Sequence, residues 1–461
     1  MSLKKTNLQR IPQVEKFLQR KDIKAYLPFL GRGLVTKLIR EEIKNCRDKL
    51  KKGVFFGPKD LINNINQRCF KKKQERLQQV INGTGIILHT NLGRAPLSPK
   101  VYQKIKEIFT GYSNLEFHLP SKKRGKRGGL AEDLICDLTQ AEDALIVNNN
   151  AASLFLILNA LAKRKKVLVS RGELIQIGGG FRIPDIMKAS GAKLVEVGTT
   201  NVTTLEDYAQ AIDEKVAMIL SAHQSNFKVK GFSQSPSLKE LSGLKKEGLI
   251  LVRDLGSGNL VYSKELPKEF EPTIKFELKQ GVDLICFSGD KLLGGAQAGF
   301  ILGEKSLIAK LKKHPLMRIL RIDKTIYFIL QETLIRYANN QLEDLSLWEI
   351  IFQSPEKISK KVDYILSQIS SSFKKNEIQK VQLKAAFGGG SLPTLEIDSF
   401  GLQFNLPKVK AEDLNHFFLT GEIPIVGSIV DRQYTLNFMT ILEKDLSVLI
   451  ARLKNLKQRY L

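Results

Sequence analysis

The sequence predicts an α/β protein: a mostly parallel sheet covered on both faces, with a small helical domain before it and a smaller α+β domain after it. Three observations predict this. From about residue 80 to 320, short apolar runs alternate with helical or loop segments. Before that stretch lies a strongly basic region whose apolar residues recur every three or four positions. After it come a long helical stretch, short strands and a closing helix. The boundaries follow these changes, giving domains 1–75, 76–325 and 326–461.

The central runs are Leu145 to Val147, Val167 to Ser170, Ala217 to Leu220, Leu249 to Val252 and Leu284 to Phe287. Their spacing is that of βαβ units. In such sheets ligands bind outside the carboxyl ends of the strands, so chemistry is sought where these runs end.

In the first domain, Ile11 to Tyr26 and Leu34 to Leu50 carry helical periodicity. Gly31, Gly33 and the stretch Gly53 to Pro58 are the predicted breaks. The chain has a net charge of +26, and it is unevenly spread. Residues 1–80 hold 21 Lys and Arg against 7 Asp and Glu, a surplus of 14. A single charge run is ordinarily a solvated face. Concentration in one small domain instead points to a polyanion, and neutralised phosphates make nucleic acid the fitting partner. In the last domain, Ile326 to Asn340 and Lys444 to Lys457 read as helices, with turns at Gly388-Gly389-Gly390-Ser391 and Pro424.

Composition narrows the class further. Of 461 residues, 43% are hydrophobic, enough for a sizeable core, which excludes a disordered chain. The start, Met1-Ser2-Leu3-Lys4-Lys5, has no apolar stretch behind it, and Leu154 to Ala162 stops at Lys163-Arg164, too short to span a bilayer. No membrane association and a cytoplasmic location are expected. Cys46, Cys69, Cys136 and Cys286 lie far apart, so reduced thiols are expected. The five histidines show no metal-ligand spacing, and no metal is expected.

Ser288-Gly289-Asp290-Lys291 follows the run ending at Phe287. A lysine there, flanked by small residues, is either part of a surface turn or an amine whose proton affinity burial lowers, ready to form a Schiff base. Asp254 follows the run ending at Val252. It is either a turn cap or a carboxylate that keeps a pyridine nitrogen protonated. The two together, strand-end Asp and then strand-end Lys one strand later, are the order required by a pyridoxal-phosphate enzyme of the aspartate-aminotransferase fold. Val147-Asn148-Asn149-Asn150-Ala151-Ala152-Ser153 runs from a strand into an apolar helix. Its side chains can cap that helix, and its free amides can bind a cofactor phosphate. His223 is a candidate to stack on the cofactor ring. Arg94 clamps an anion or pairs with a carboxylate. Arg318 and Arg321, at i and i+3, share one helical face and grip a phosphate-like group, or merely line a surface helix.

These segments together resemble the bacterial selenocysteine synthases, the L-seryl-tRNA(Sec) selenium transferases. The matching stretches are Ile81 to Gly85, Asn91 to Ser98, Tyr112 to Glu116, Val147 to Ala152, Arg171 to Leu174 with Gly178-Gly179, Phe181 to Pro184, Glu196 to Asn201, and Ser288 to Gly295. The resemblance implies a type I pyridoxal-phosphate fold and a homodecamer, a pentamer of dimers. It implies pyridoxal 5'-phosphate as cofactor, with Lys291 as the Schiff-base lysine, Asp290 as a catalytic aid and Asp254 as the pyridine-nitrogen partner. Asn150, Ala151, Ala152, His223 and Ser288 complete the expected cofactor site. Arg94, Arg318 and Arg321 resemble the arginines that bind selenophosphate, and the basic N-terminal domain resembles the one that holds tRNA(Sec). The implied reaction turns serine-charged tRNA(Sec) into selenocysteinyl-tRNA(Sec) by β-elimination to an aminoacrylyl-tRNA and selenium addition. One loop departs from the family's Gly-x-Arg-Gly-Ser-Arg pattern: it reads Lys122-Lys123-Arg124-Gly125-Lys126-Arg127. Arg124 and Arg127 are kept, and Arg127 keeps its expected place in the active site.

Overall fold

The computed structural model describes residues 12–460 apart from 53–57, 175, 178, 179, 224–228, 230, 390 and 393. The expected break at Gly53 to Pro58 therefore lies largely outside the described residues, as do the Gly178-Gly179 pair and Gly390 of the predicted turn. The chain divides into two compact units, residues 1–80 with 416–424, and residues 81–415 with 425–461.

The first unit is built on two helices, α1 (Leu27–Lys51) and α2 (Pro58–Gln74). The apolar face of α1 follows from Val35, Leu38, Ile39, Ile43 and Cys46, which bury against Leu61, Ile65 and Cys69 of α2. Phe17, Leu18 and Ile23 close this core. They do not come from one helix, as the periodicity of Ile11 to Tyr26 suggests. Arg20 is extended and separates Val14–Leu18 from Lys21–Lys24. Of the two glycines, only Gly31 interrupts α1, at a φ of 73° that other residues rarely adopt. Glu42 is buried and is satisfied from α2 by Arg68 at 3.2 Å and Asn64 at 3.1 Å. Ile39→Ala, at a fully buried position, is expected to destabilise this unit by about 2–5 kcal/mol, read from urea unfolding of the full chain.

The second unit centres on a seven-stranded sheet: β1 (Asp143–Val147), β2 (Lys166–Ser170), β3 (Lys193–Val197), β4 (Val216–Ala222), β5 (Ile250–Gly256), β6 (Leu284–Ser288) and β7 (Gly299–Gly303). Its order is β1-β7-β6-β5-β4-β2-β3. Strands β3, β2, β4, β5 and β6 pair in parallel, whereas β7 runs antiparallel to both β6 and β1. Every residue of β4, β6 and β7 is buried, as expected for strands covered on both faces. Two of these strands, β3 and β7, are absent from the sequence reading. In β7 the flanking glycines read as loop. They are required instead by close backbone approach: a Cβ on Gly299 would sit 2.1 Å from the Asn149 carbonyl, and one on Gly303 2.0 Å from that of Asp283. Strand β5 also runs further than the apolar stretch, so Asp254 lies within it rather than after it.

Helix α3 (Asn150–Leu161) follows β1, and α4 (Lys324–Ala338) follows the last strand of this sheet. Beyond them, β8 (Ile378–Ala386), β9 (Glu396–Phe404), β10 (Ser428–Val430) and β11 (Gln433–Asn437) form an antiparallel sheet in the order β8-β9-β11-β10, and the chain closes on the helix Leu446–Tyr460. Among the described residues no helix is long and apolar enough to cross a membrane, and no cluster of metal-binding side chains occurs. The four cysteines are unbridged.

Candidate active site

The sheet brings Asp254 and Lys291 together. Strands β5 and β6 are adjacent and parallel, with Asp254 opposite Cys286 on one side and Ala222 on the other. Three residues beyond β6, Lys291 is buried. A cation pays a solvation cost there, and burial lowers the lysine's proton affinity. The Arg94 guanidinium adds to this, while Asp254, Asp290 and Glu271 oppose it. Asp254 is likewise buried, and burial raises its carboxyl above the usual carboxylate range against the opposing effect of an Asn150 hydrogen bond. That bond runs from Asn150 Nδ2 to Asp254 Oδ1 at 2.8 Å.

The start of α3 is capped by Asn149, whose side chain accepts from the Ala152 amide at 2.8 Å. Ala152 is thereby occupied, and the first-turn amides of Asn150 and Ala151 are the ones left to a ligand. On the other flank, Asp290 accepts from Arg94 Nη1 at 2.6 Å and from the Ser288 hydroxyl at 2.6 Å. Ser288 therefore orients Asp290. Arg94 itself sits at a φ of 60°, just after Gly93 in the same left-handed region, a costly backbone that the Asp290 pair and the bond from its own amide to the His89 carbonyl at 3.0 Å hold in place.

The remaining arginines form a second group. Glu116 accepts from Arg127 Nη1 at 2.6 Å and from Arg124 Nη2 at 3.1 Å, and Arg321 lies 3.8 Å away. The Arg127 hydrogen bond holds the Glu116 carboxyl below its usual range. Arg127 also donates to the Ile322 carbonyl at 2.9 Å. The departed loop is anchored here too, since Lys126 reaches the buried Glu132 at 2.5 Å. Arg318 and Arg321 do not share a helical face. The helix Met317–Leu320 is four residues long, and Arg321 after it is extended. The Leu320 carbonyl accepts from the Asn148 amide at 3.0 Å instead of continuing the helix. Arg318 is exposed, while Arg321 turns to Glu116.

Three acidic residues with a place here carry no role in the sequence reading. Glu116 stands in a matching stretch, but its arginine partners lie in other segments. Glu173 accepts from the Ser221 hydroxyl at 3.2 Å and the Ala222 amide at 3.0 Å, and burial pushes its carboxyl up to about 6. Glu271 is buried beside His223, whose Nδ1 lies 4.0 Å from its Oε1. Burial pushes Glu271 up to about 8 and His223 down to about 4, so both are neutral between those values. A raised carboxyl stabilises the fold below its unfolded value and loses that contribution as pH rises through the folded value. For Glu271 the loss is complete at about 8. His223 acts only below its ordinary value of 6.5. Between pH 6.5 and 8, therefore, the melting temperature of the wild type is expected to fall relative to that of Glu271→Gln, and parallel curves would refute the burial of a neutral carboxyl.

Residues 80–442 match the family described as L-seryl-tRNA selenium transferase, and residues 8–47 match the one described as selenocysteine synthase N terminal. The L-seryl-tRNA(Sec) selenium transferase of Carboxydothermus hydrogenoformans is 38% identical, with 97% of each chain covered. That of Geotalea uraniireducens is 40% identical over 98% of this chain and 99% of the relative. Among solved structures, a D-glucosaminate-6-phosphate ammonia-lyase shares the fold with a TM-score of 0.57 at 19% identity, covering 83% of this chain and 97% of that one. The mostly parallel seven-stranded α/β architecture is the one shared with that ammonia-lyase, and it agrees with the fold that the order of Asp254 and Lys291 implies. Matched along nearly its whole length, the chain belongs to the L-seryl-tRNA(Sec) selenium transferase family.

Proposed function

We propose that this protein converts L-seryl-tRNA(Sec) to L-selenocysteinyl-tRNA(Sec) in the cytoplasm, with selenophosphate as selenium donor and pyridoxal 5'-phosphate as cofactor. The observation that carries the reading is the burial of Lys291 and Asp254 at adjacent strands, with Asp290, beside the lysine, paired to Arg94. The residues fit the cofactor. Lys291 makes no ion pair among the described residues, and Asn150 Oδ1 is a buried polar atom without a hydrogen-bond partner there. Such an atom suits a polar ring.

Lys291 Nζ would hold the cofactor covalently, Asp254 would face its ring nitrogen, and the amides of Asn150 and Ala151 would take its phosphate. When bound, the cofactor supplies an electron sink that lets the seryl Cα proton and β-hydroxyl leave. Lys291, once released, is the base placed to take the Cα proton. Asp254 holds the proton on the ring nitrogen. Arg94, oriented by Asp290, binds the donor's oxygens, and Arg127, Arg318 and Arg321 add positive charge for the same anion. Residues 1–75 would bind tRNA through its phosphates. The expected assembly is the homodecamer; the apolar residues Tyr112, Leu119 and Leu130, which one protomer leaves in water, favour association with further copies. The test is conversion of Ser-tRNA(Sec) by the purified chain with both small molecules. Selenocysteinyl-tRNA is the expected product, with none from Ser-tRNA(Ser). Release of free pyruvate or no product would overturn the reading.

A further inference from the structure

Glu271 stands outside every matching stretch, yet it faces three separate segments of the second unit. Ser257, just past β5, donates its hydroxyl to Oε2. Ser391, in the turn between β8 and β9, donates to Oε1 at 3.3 Å, and the Leu392 amide beside it donates as well. Leu392 has a φ of 46°, rare for a leucine, so this acceptor helps hold a strained turn. Asn259 Nδ2 grips the Glu271 carbonyl at 2.7 Å. The third segment is His223, just after β4. Its amide donates to the Asp254 carbonyl at 2.8 Å, so the ring moves only about its own side-chain torsions. Its Nδ1 is buried, 4.0 Å from Glu271 Oε1, and without a hydrogen-bond partner among the described residues.

Resting on the functional reading above, we infer that Glu271 is a positioning residue for His223: its carboxyl O–H reaches Nδ1, fixes the tautomer protonated at Nε2, and leaves that N–H to donate to an acceptor on the bound cofactor. The gap to be closed is about 1 Å, within reach of a side-chain torsion. The tautomer of a histidine is set by the partner of its other nitrogen. The charges that face the pair agree. Burial first, and then Arg253 and Lys291, disfavour a proton on His223, so the ring is neutral and its Nδ1 can accept. Burial keeps Glu271 protonated, so it can donate. Arg253 is itself neutralised by Glu277 at 3.1 Å and does not compete for the Glu271 carboxyl.

The experiment measures the dissociation constant of pyridoxal 5'-phosphate from the full chain, freed of cofactor, by fluorescence quenching. Glu271→Ala is expected to raise it at least tenfold. Glu271→Gln, whose amide also donates to Nδ1 and accepts from Ser391, should stay within twofold of wild type. His223→Ala should match Glu271→Ala, and the double variant should be no worse than either single one. A wild-type constant for Glu271→Ala, or multiplying effects in the double variant, would overturn the inference, and so would a Gln variant as weak as Ala. Glu271→Met keeps the volume without a donor and replaces the Ala variant if that one does not fold. Failure of the wild-type chain to bind pyridoxal 5'-phosphate at all would sink the functional reading instead.

Discussion

Lys291→Ala is expected to lower turnover of Ser-tRNA(Sec) by at least about 10³-fold and to remove the visible absorbance of the lysine–cofactor adduct. The magnitude follows from two roles carried by one atom: Nζ is both the covalent anchor and the base placed for the Cα proton. No neighbour can substitute. Arg94 is paired with Asp290 and its guanidinium cannot form the adduct, Asp290 is engaged by Arg94 and Ser288, and Asp254 lies one strand away. Lys291→Arg should fail equally, because a guanidinium neither forms the adduct nor gives up its proton. The small side chain of alanine fits the buried turn between Ser257 and Gly294, whose backbone bonds to Leu292 and Lys291 do not involve the side chain, so the far-ultraviolet spectrum should not change. Turnover above a few per cent with an unchanged fold would exclude Lys291 from the chemistry.

Much of this site was legible because parallel sheets place function at strand ends. Lys291 and Asp254 each follow an apolar run, and their order along the chain already implied adjacent strands. Asn150 and Ala151 were legible for a similar reason, since a polar cap must open the apolar helix that follows β1. What stayed hidden depends on contacts between distant segments. Glu271 owes its burial to Ser257 and to Ser391, 120 residues away, and no local pattern marks it. Glu116 gathers Arg124 from the hairpin of Phe117–His118 with Lys123–Arg124 and Arg127 from just beyond it, but Arg321 from far along the chain. The i, i+3 spacing of Arg318 and Arg321 misled because tertiary hydrogen bonding ended the helix at Leu320, which overrides local periodicity. Strand β7 was missed because glycines demanded by packing look identical in sequence to glycines demanded by turns.

Asp254→Asn is expected to reduce turnover by about 10²–10³-fold while leaving the lysine–cofactor adduct able to form. In the structure Asp254 is a buried carboxyl whose ionisation is disfavoured by burial, with Asn150 donating to its Oδ1, Cys286 also hydrogen-bonded to it, and the charges of Lys291 and Arg253 offering partial relief. A protonated ring nitrogen would supply the missing cation, and the two charges would stabilise each other where water does not screen them. Asparagine keeps the size and the hydrogen bond to Asn150 but carries no charge, so the ring nitrogen loses its proton and the electron sink weakens. The loss should fall on kcat, with little change in KM for Ser-tRNA(Sec), because the charge matters most as the Cα proton departs. Stability should hold or rise, since a buried charge has been removed from a site that burial already penalises. Asp254→Glu tests the same argument by geometry. It keeps the charge but lengthens the arm within a strand paired on both sides, with Cys286 and Ala222 as fixed neighbours. It should lose activity through misplacement and also lose stability through overpacking. If Asp254→Asn keeps wild-type kcat, the ring nitrogen needs no anionic partner and the electrostatic role assigned to Asp254 fails.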